Sequence, residues 1–130
     1  MGLVRGRNEI WTVIMDIKEL QEKVIQFRDR RDWAQYHNPK DLAISLSLEA
    51  SELLEIFQWK NSDEVEAIMR DEKSRKRVQE ELGDIFIYAL NMTHAFGFDP
   101  SEVILNKLRI NEGKYPVEKS KGSSDKYTAY

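Results

Sequence analysis

The stretch "DLAISLSLEASELLEIFQW", residues 41–59, decides how this chain folds. Its first half alternates apolar and polar residues as a half-buried strand does, while "EASELLEIFQW" consists of good helix formers at a 3.6-residue period. No partner strand is evident elsewhere in the sequence, so the whole stretch reads as helix. At about 100° per residue, Leu46, Leu53, Ile56 and Phe57 fall within about 60° of Leu42 and form one apolar stripe. Glu49 falls about 20° from Leu42, inside that stripe, and Glu52 lies on its flank at about 80°. A carboxylate aimed at a helix's own packing face needs a reason.

A second long helix repeats the arrangement. Val78, Leu82, Ile85, Ala89, Met92 and Phe96 form its stripe, and Glu81, Asp84 and Tyr88 line one edge roughly 60–120° away. Each helix thus carries an acidic pair at i, i+3, and residues so spaced are neighbours on a helix surface. Like charges ~4 Å apart repel by about 4 kcal/mol at an effective dielectric near 20, so such a cluster calls for protons or a multivalent cation. Four carboxylates without histidine or cysteine form a hard-oxygen site, suited to Mg²⁺ or Mn²⁺ far better than to Zn²⁺. The rival explanation is a solvated acidic face, common on helices of a chain in which 33% of residues are charged.

Outside these two helices the breaks are few. Asn38-Pro39, "KNSD" at 60–63 and "GFDPSE" at 97–102 punctuate the chain. In the last, Gly97 suits a helix end, and Asp99, Pro100 and Glu102 suit N-cap, N1 and N3 of the next helix. The expected helices are 16–36, 40–59, 63–70, 74–96 and 100–112. Residues 15–116 make one all-α domain, a bundle of four to five helices. Residues 1–14 are set apart as an N-terminal extension, with Met15 as an alternative start, and 117–130 as a loosely ordered polar tail unless a partner chain holds it.

With 130 residues the chain has room for one domain. A formal net charge of −3 offers no electrostatic footprint for nucleic acid. The absence of cysteine excludes disulfides, thiolate metal sites and cysteine nucleophiles. No apolar run approaches the ~20 residues of a membrane span, and the N-terminal stretch does not read as a signal peptide. A cytoplasmic protein is expected. On the C-terminal side, "NKLRINEGKYP" places Lys107 and Asn111 at i, i+4, followed by Lys114 and Tyr115; cations and an amide suit a polyphosphate beside a metal.

E-x-x-E at Glu49 and Glu52, with E-x-x-D at Glu81 and Asp84 on a second helix, resembles the MazG-like all-α nucleoside triphosphate pyrophosphohydrolases. The blocks "RDWAQYHNPKDL", "EIFQWK", "EELGDIFIYAL" and "NKLRINEGKYP" resemble the dCTP pyrophosphatase branch in order and spacing, over roughly residues 20–130. The resemblance implies a helical protomer assembled as a tight dimer or dimer of dimers (a homotetramer), with sites near subunit interfaces. It implies Mg²⁺-dependent cleavage between the α- and β-phosphates of a nucleotide such as dCTP or a modified dCTP, a house-cleaning activity on the nucleotide pool. It places Glu49, Glu52, Glu81 and Asp84 on the metal as the catalytic set. It places Lys107, Asn111, Lys114 and Tyr115 on phosphates, and Trp33, His37, Trp59 and Tyr88 around base and sugar.

Two departures stand out. Lys114 occupies a position where such proteins commonly carry arginine, and lysine supplies charge but no bidentate fork. Gly83 sits inside a helix at a cost of about 1 kcal/mol relative to alanine, for which close packing of a neighbouring helix is the expected reason. Glu52 and Glu55 are the candidates for the proton acceptor, and His94 reads as structural. The alternatives are a non-enzymatic helical module that binds a metal or a partner, and a dUTPase-like or broad NTP hydrolase.

Overall fold

Asp16 caps the first helix, its side chain accepting from the Glu19 amide, and from there the chain is helical almost to its end. A computed structural model describes residues 2–5 and 11–130. Its helices are α1 (Ile17–Asp29), α2 (Pro39–Glu55), α3 (Ser62–Arg70), α4 (Glu72–Ala95), α5 (Pro100–Lys114) and the single turn α6 (Val117–Ser120). The expected all-α domain is therefore present. No helix among the described residues is long and apolar enough to cross a membrane.

The starts of the helices follow their caps. Asn38 accepts from the Asp41 amide with Pro39 in the first turn of α2, and Asn61 with Glu64 closes a reciprocal capping box on α3. Asp71 caps α4 and Asp99 caps α5, the latter through Ser101 rather than Glu102. The serines that mimic a strand in "DLAISLSL" are absorbed by the helix. Ser47 donates to the Ala43 carbonyl four residues back, and Ser51, just beyond that stretch, donates likewise to the Ser47 carbonyl.

The structure departs from the sequence reading in several places. The first helix ends at Asp29, because Asp32 adopts φ 53° and the Trp33 amide turns back to the Arg28 carbonyl. A 3₁₀ turn, Ala34–Tyr36, follows. The second helix ends at Glu55, and residues 56–59 continue as tightened turns, with Phe57 bonded to the Leu54 carbonyl. Gly2–Arg5 pairs antiparallel with Trp11–Ile14, a hairpin within the segment set aside as an extension; Met1 and residues 6–10 of that segment lie outside the described residues. The tail is not loose: Tyr127 and Tyr130 pack edge-on to Tyr115, at 5.9 and 6.1 Å between ring centroids. Lastly, a Cβ built on Gly83 meets nothing within 4 Å, so among the described residues no other helix packs closely against it.

Packing centres on α4, which lies against α2, α1 and α3, while α5 packs on α1. Buried Gln21 ties α1 to the end of α4, donating to Thr93 Oγ1 at 3.0 Å and to the Phe98 carbonyl at 3.3 Å. Among the described residues the buried hydrophobic core is small: Leu42, Ile56 and Leu90. Leu82 and Phe96, expected in the core, are exposed, as are Leu48, Leu54, Phe86 and much of the outer face of α5. A helical wheel identifies an apolar stripe but not whether its own chain covers it. Phe57, Ile68, Met69, Val78, Leu82 and Phe86 line an open apolar groove of about 680 Å³ along α3 and α4.

Candidate active site

The tightest helix pair, α2 with α4, sets the two acidic motifs face to face. Carboxylate oxygens of Glu49, Glu52 and Glu81 all lie within 4.8 Å of one another. Asp84 stands beside this triad rather than within it. Its charge nevertheless reaches Glu49, whose pKa is raised by burial first and then by the charges of Asp84, Glu52 and Glu81. Glu81 is raised in the same direction, by burial and then by Glu52 and Asp84, with Arg77 opposing. Like charges held this close repel one another, and a multivalent cation would relieve them. The donor set is oxygen only, anionic and convergent, with no histidine or thiol. It fits a hard dication, and these three residues with Asp84 would hold it. Glu55 is exposed and outside the triad.

Along α4 the motif continues toward a pocket. Glu81, Asp84, Tyr88 and Asn91 follow one another at spacings of three, four and three, one stripe spanning about 15 Å of helix. Asp84, Tyr88 and Asn91 form one wall of a cavity of about 200 Å³, whose other residues include Phe27, Arg28, Trp33 and His37. The left-handed Asp32 explains how Trp33 gets there: the chain doubles back after α1 and sets Trp33 edge-on to Phe27, 5.9 Å between centroids. Gln35 holds the turn from the far side, donating to the Asp32 carbonyl. The His37 and Tyr88 rings lie 6.5 Å apart, tilted by 58°. Three of the four residues expected around a base thus meet, next to the carboxylates.

The fourth does not. Trp59 lies beyond the end of α2 and is 87% exposed. The phosphate set is also separate. Lys107, Asn111 and Lys114 sit on α5, with Tyr115 as its C-cap, and α5 packs against α1, whereas the carboxylates lie between α2 and α4. The Lys114 ammonium lies 4.9 Å from the centre of the Tyr127 ring. Among the described residues no hydrogen bond or ion pair joins Lys107, Asn111, Lys114 or Tyr115 to the triad. Sequence reasoning missed Asn91, a buried amide seven residues after Asp84. An asparagine between Leu90 and Met92, on the same stripe as both acids, was the available signal.

The model of the MazG-like family matches residues 44–129. The chain is 35% identical over 112 residues to dCTP pyrophosphatase 1 of Mus musculus and 34% identical to that of Homo sapiens. Each match covers 86% of this chain, and the chain spans 66% of the length of these relatives. Among solved structures it is similar to a pyrophosphatase from Archaeoglobus fulgidus, with 40% identity and a TM-score of 0.70, covering 82% of this chain and 98% of that one.

Proposed function

From the premise that this chain belongs to the MazG-like family, we propose that it is a metal-dependent nucleoside triphosphate pyrophosphohydrolase acting on dCTP or a 5-substituted dCTP. The carrying observation is one stripe of α4 with acids at its start and an aromatic, histidine-bearing pocket at its end. The stripe's ~15 Å suits a nucleotide laid along it, phosphates toward Glu81 and base toward Asn91. The names of the relatives and of the similar solved structure point the same way.

In this reading Glu49, Glu52, Glu81 and Asp84 hold Mg²⁺, with Mn²⁺ as substitute. The bound ion would neutralise phosphate charge and acidify a water. Water adds to phosphorus, the bridging P–O bond between α- and β-phosphates breaks, and the proton passes to a carboxylate, for which Glu52 is the candidate. The products are a nucleoside monophosphate and pyrophosphate. Trp33 and Tyr88 flank the base, and stacking contributes about 1–3 kcal/mol.

The same reading makes the working unit an assembly of copies, a dimer or a dimer of dimers in the cytoplasm. Leu42, Ile56 and Leu90, the buried hydrophobic side chains among the described residues, are a meagre core for a chain of this length, and the exposed faces of α4 and α5 need cover. A second copy would also bring Trp59 and the α5 residues Lys107, Asn111 and Lys114, with Tyr115, to a neighbour's carboxylates. Residues 15–116 would be the catalytic domain, with the folded tail closing the end of α5. Incubation with each common dNTP and Mg²⁺, followed by anion-exchange separation, tests the activity. The expected products from dCTP are dCMP and pyrophosphate in equal amounts; dCDP and phosphate, or no turnover, would refute it.

A further inference from the structure

Asn91 is 2% exposed, the most buried of the polar residues described, and its amide is held at both ends. Its Nδ2 donates to the Ile87 carbonyl at 3.0 Å, and its Oδ1 lies 3.3 Å from Nδ1 of His37. A carbonyl oxygen only accepts, so the amide has one workable orientation; reversed, it would press two acceptors together. Oδ1 also only accepts, which obliges His37 Nδ1 to carry the proton. In the neutral imidazole the other nitrogen, Nε2, is then bare and can only accept.

We propose that Asn91 is a positioning residue that fixes His37 as its Nδ1–H tautomer, so that Nε2 selects a base bearing an amino group. The inference rests on the functional reading above and deepens it. His37 lines the pocket with Trp33, Tyr88 and Asp84. An acceptor facing position 4 of a pyrimidine receives a hydrogen bond from the 4-amino group of cytosine. The 4-oxo group of uracil or thymine would instead oppose it lone pair to lone pair. Stacking is indifferent to base identity, so discrimination must come from such an edge contact. The Asn91 amide is 2% exposed and engaged at both ends, so its part in base selection is indirect. It acts through the ring it orients, as a partner hydrogen bond does for a metal-bound histidine.

The tautomer is directly measurable. Long-range ¹H–¹⁵N spectra of the wild-type protein at about pH 8.5, above the ordinary imidazole range, report which ring nitrogen is protonated. His94→Gln, at the chain's other histidine, assigns the signals. The expected result is a protonated Nδ1 and a bare Nε2 in His37, with the tautomer released in Asn91→Leu. A protonated Nε2 in the wild type overturns the proposal without any variant being needed. In steady-state assays the ratio of kcat/KM for dCTP over dUTP should fall about tenfold in Asn91→Leu, while Mg²⁺-dependent turnover persists. An unchanged ratio in a folded Asn91→Leu protein overturns the base-reading role. Failure of the wild type to hydrolyse any nucleotide would instead refute the functional reading and the base selection with it, and the spectrum would still decide the tautomer.

Discussion

Trp59 offers the sharpest test of where the site is completed. At 87% exposure it keeps only about an eighth of its surface covered within the protomer. A tryptophan buries about 250 Å² at most, so truncation to alanine removes roughly 30 Å² of contact, worth about 0.8 kcal/mol at 25 cal/mol/Å². Stability of the isolated fold should therefore change little. If the indole stacks on the base in a neighbour's pocket, its loss removes about 1–3 kcal/mol, a fall of roughly five- to 150-fold in kcat/KM for dCTP. The decisive assay combines two defective proteins. Trp59→Ala and His37→Ala are each prepared alone, mixed in equal amounts, and left to exchange subunits. If each site draws His37 from one copy and Trp59 from the other, half the dimers are mixed. One site in each of these is intact, and activity recovers to about a quarter of wild type. Recovery no greater than the sum of the two parents would refute the shared site. A Trp59→Ala protein that melts far below wild type while keeping its kcat/KM would show the side chain to be packing alone.

The carboxylate cluster makes a prediction whose sign depends on metal and pH. Glu49 and Glu81 have pKa values raised above the ordinary 4.5, so their favourable contribution is full below that value and is lost as pH rises through the raised ones. In EDTA, Glu49→Gln should therefore melt higher than wild type near neutral pH, and the difference should vanish below about pH 4.5; a constant difference across that range would contradict it. With saturating Mg²⁺ the order should reverse, because binding to the native state stabilises only the protein that retains the ligand. Equal midpoints for wild type in EDTA and in Mg²⁺ would remove the metal from this site. Turnover by Glu49→Gln should be lost by at least 100-fold with helicity retained, checked by circular dichroism. Gly83→Ala should gain about 1 kcal/mol and raise the midpoint by a few degrees, since a methyl there meets nothing within 4 Å. A lower midpoint would mean that a second copy packs against that position.

What the sequence determined by itself was local. The helix start at Asp99 was legible because a cap is a contact between residues two or three apart, and Asn38-Pro39 and "KNSD" were legible as the breaks whose asparagines cap α2 and α3. The acidic pairs were legible because i, i+3 spacing fixes a shared face, and repulsion among carboxylates implies a counter-ion wherever they converge. The ends of α1 and α2 were not, because a left-handed Asp32 and the tightened turn after Glu55 leave no compositional mark as a glycine or proline does. Only the tertiary structure brought Trp33 and His37 to Tyr88 across α4, added Asn91, and left Trp59 and the α5 residues elsewhere. It also decided the fate of the apolar stripes. Periodicity tells which face of Leu82 and Phe96 is shared with other apolar residues; whether a helix of the same chain covers that face depends on how the helices pack. Here it leaves them exposed. The hairpin of Gly2–Arg5 with Trp11–Ile14 and the tyrosine clasp on the tail belong to the same class. Each rests on pairing between residues separated along the chain, which no local pattern encodes.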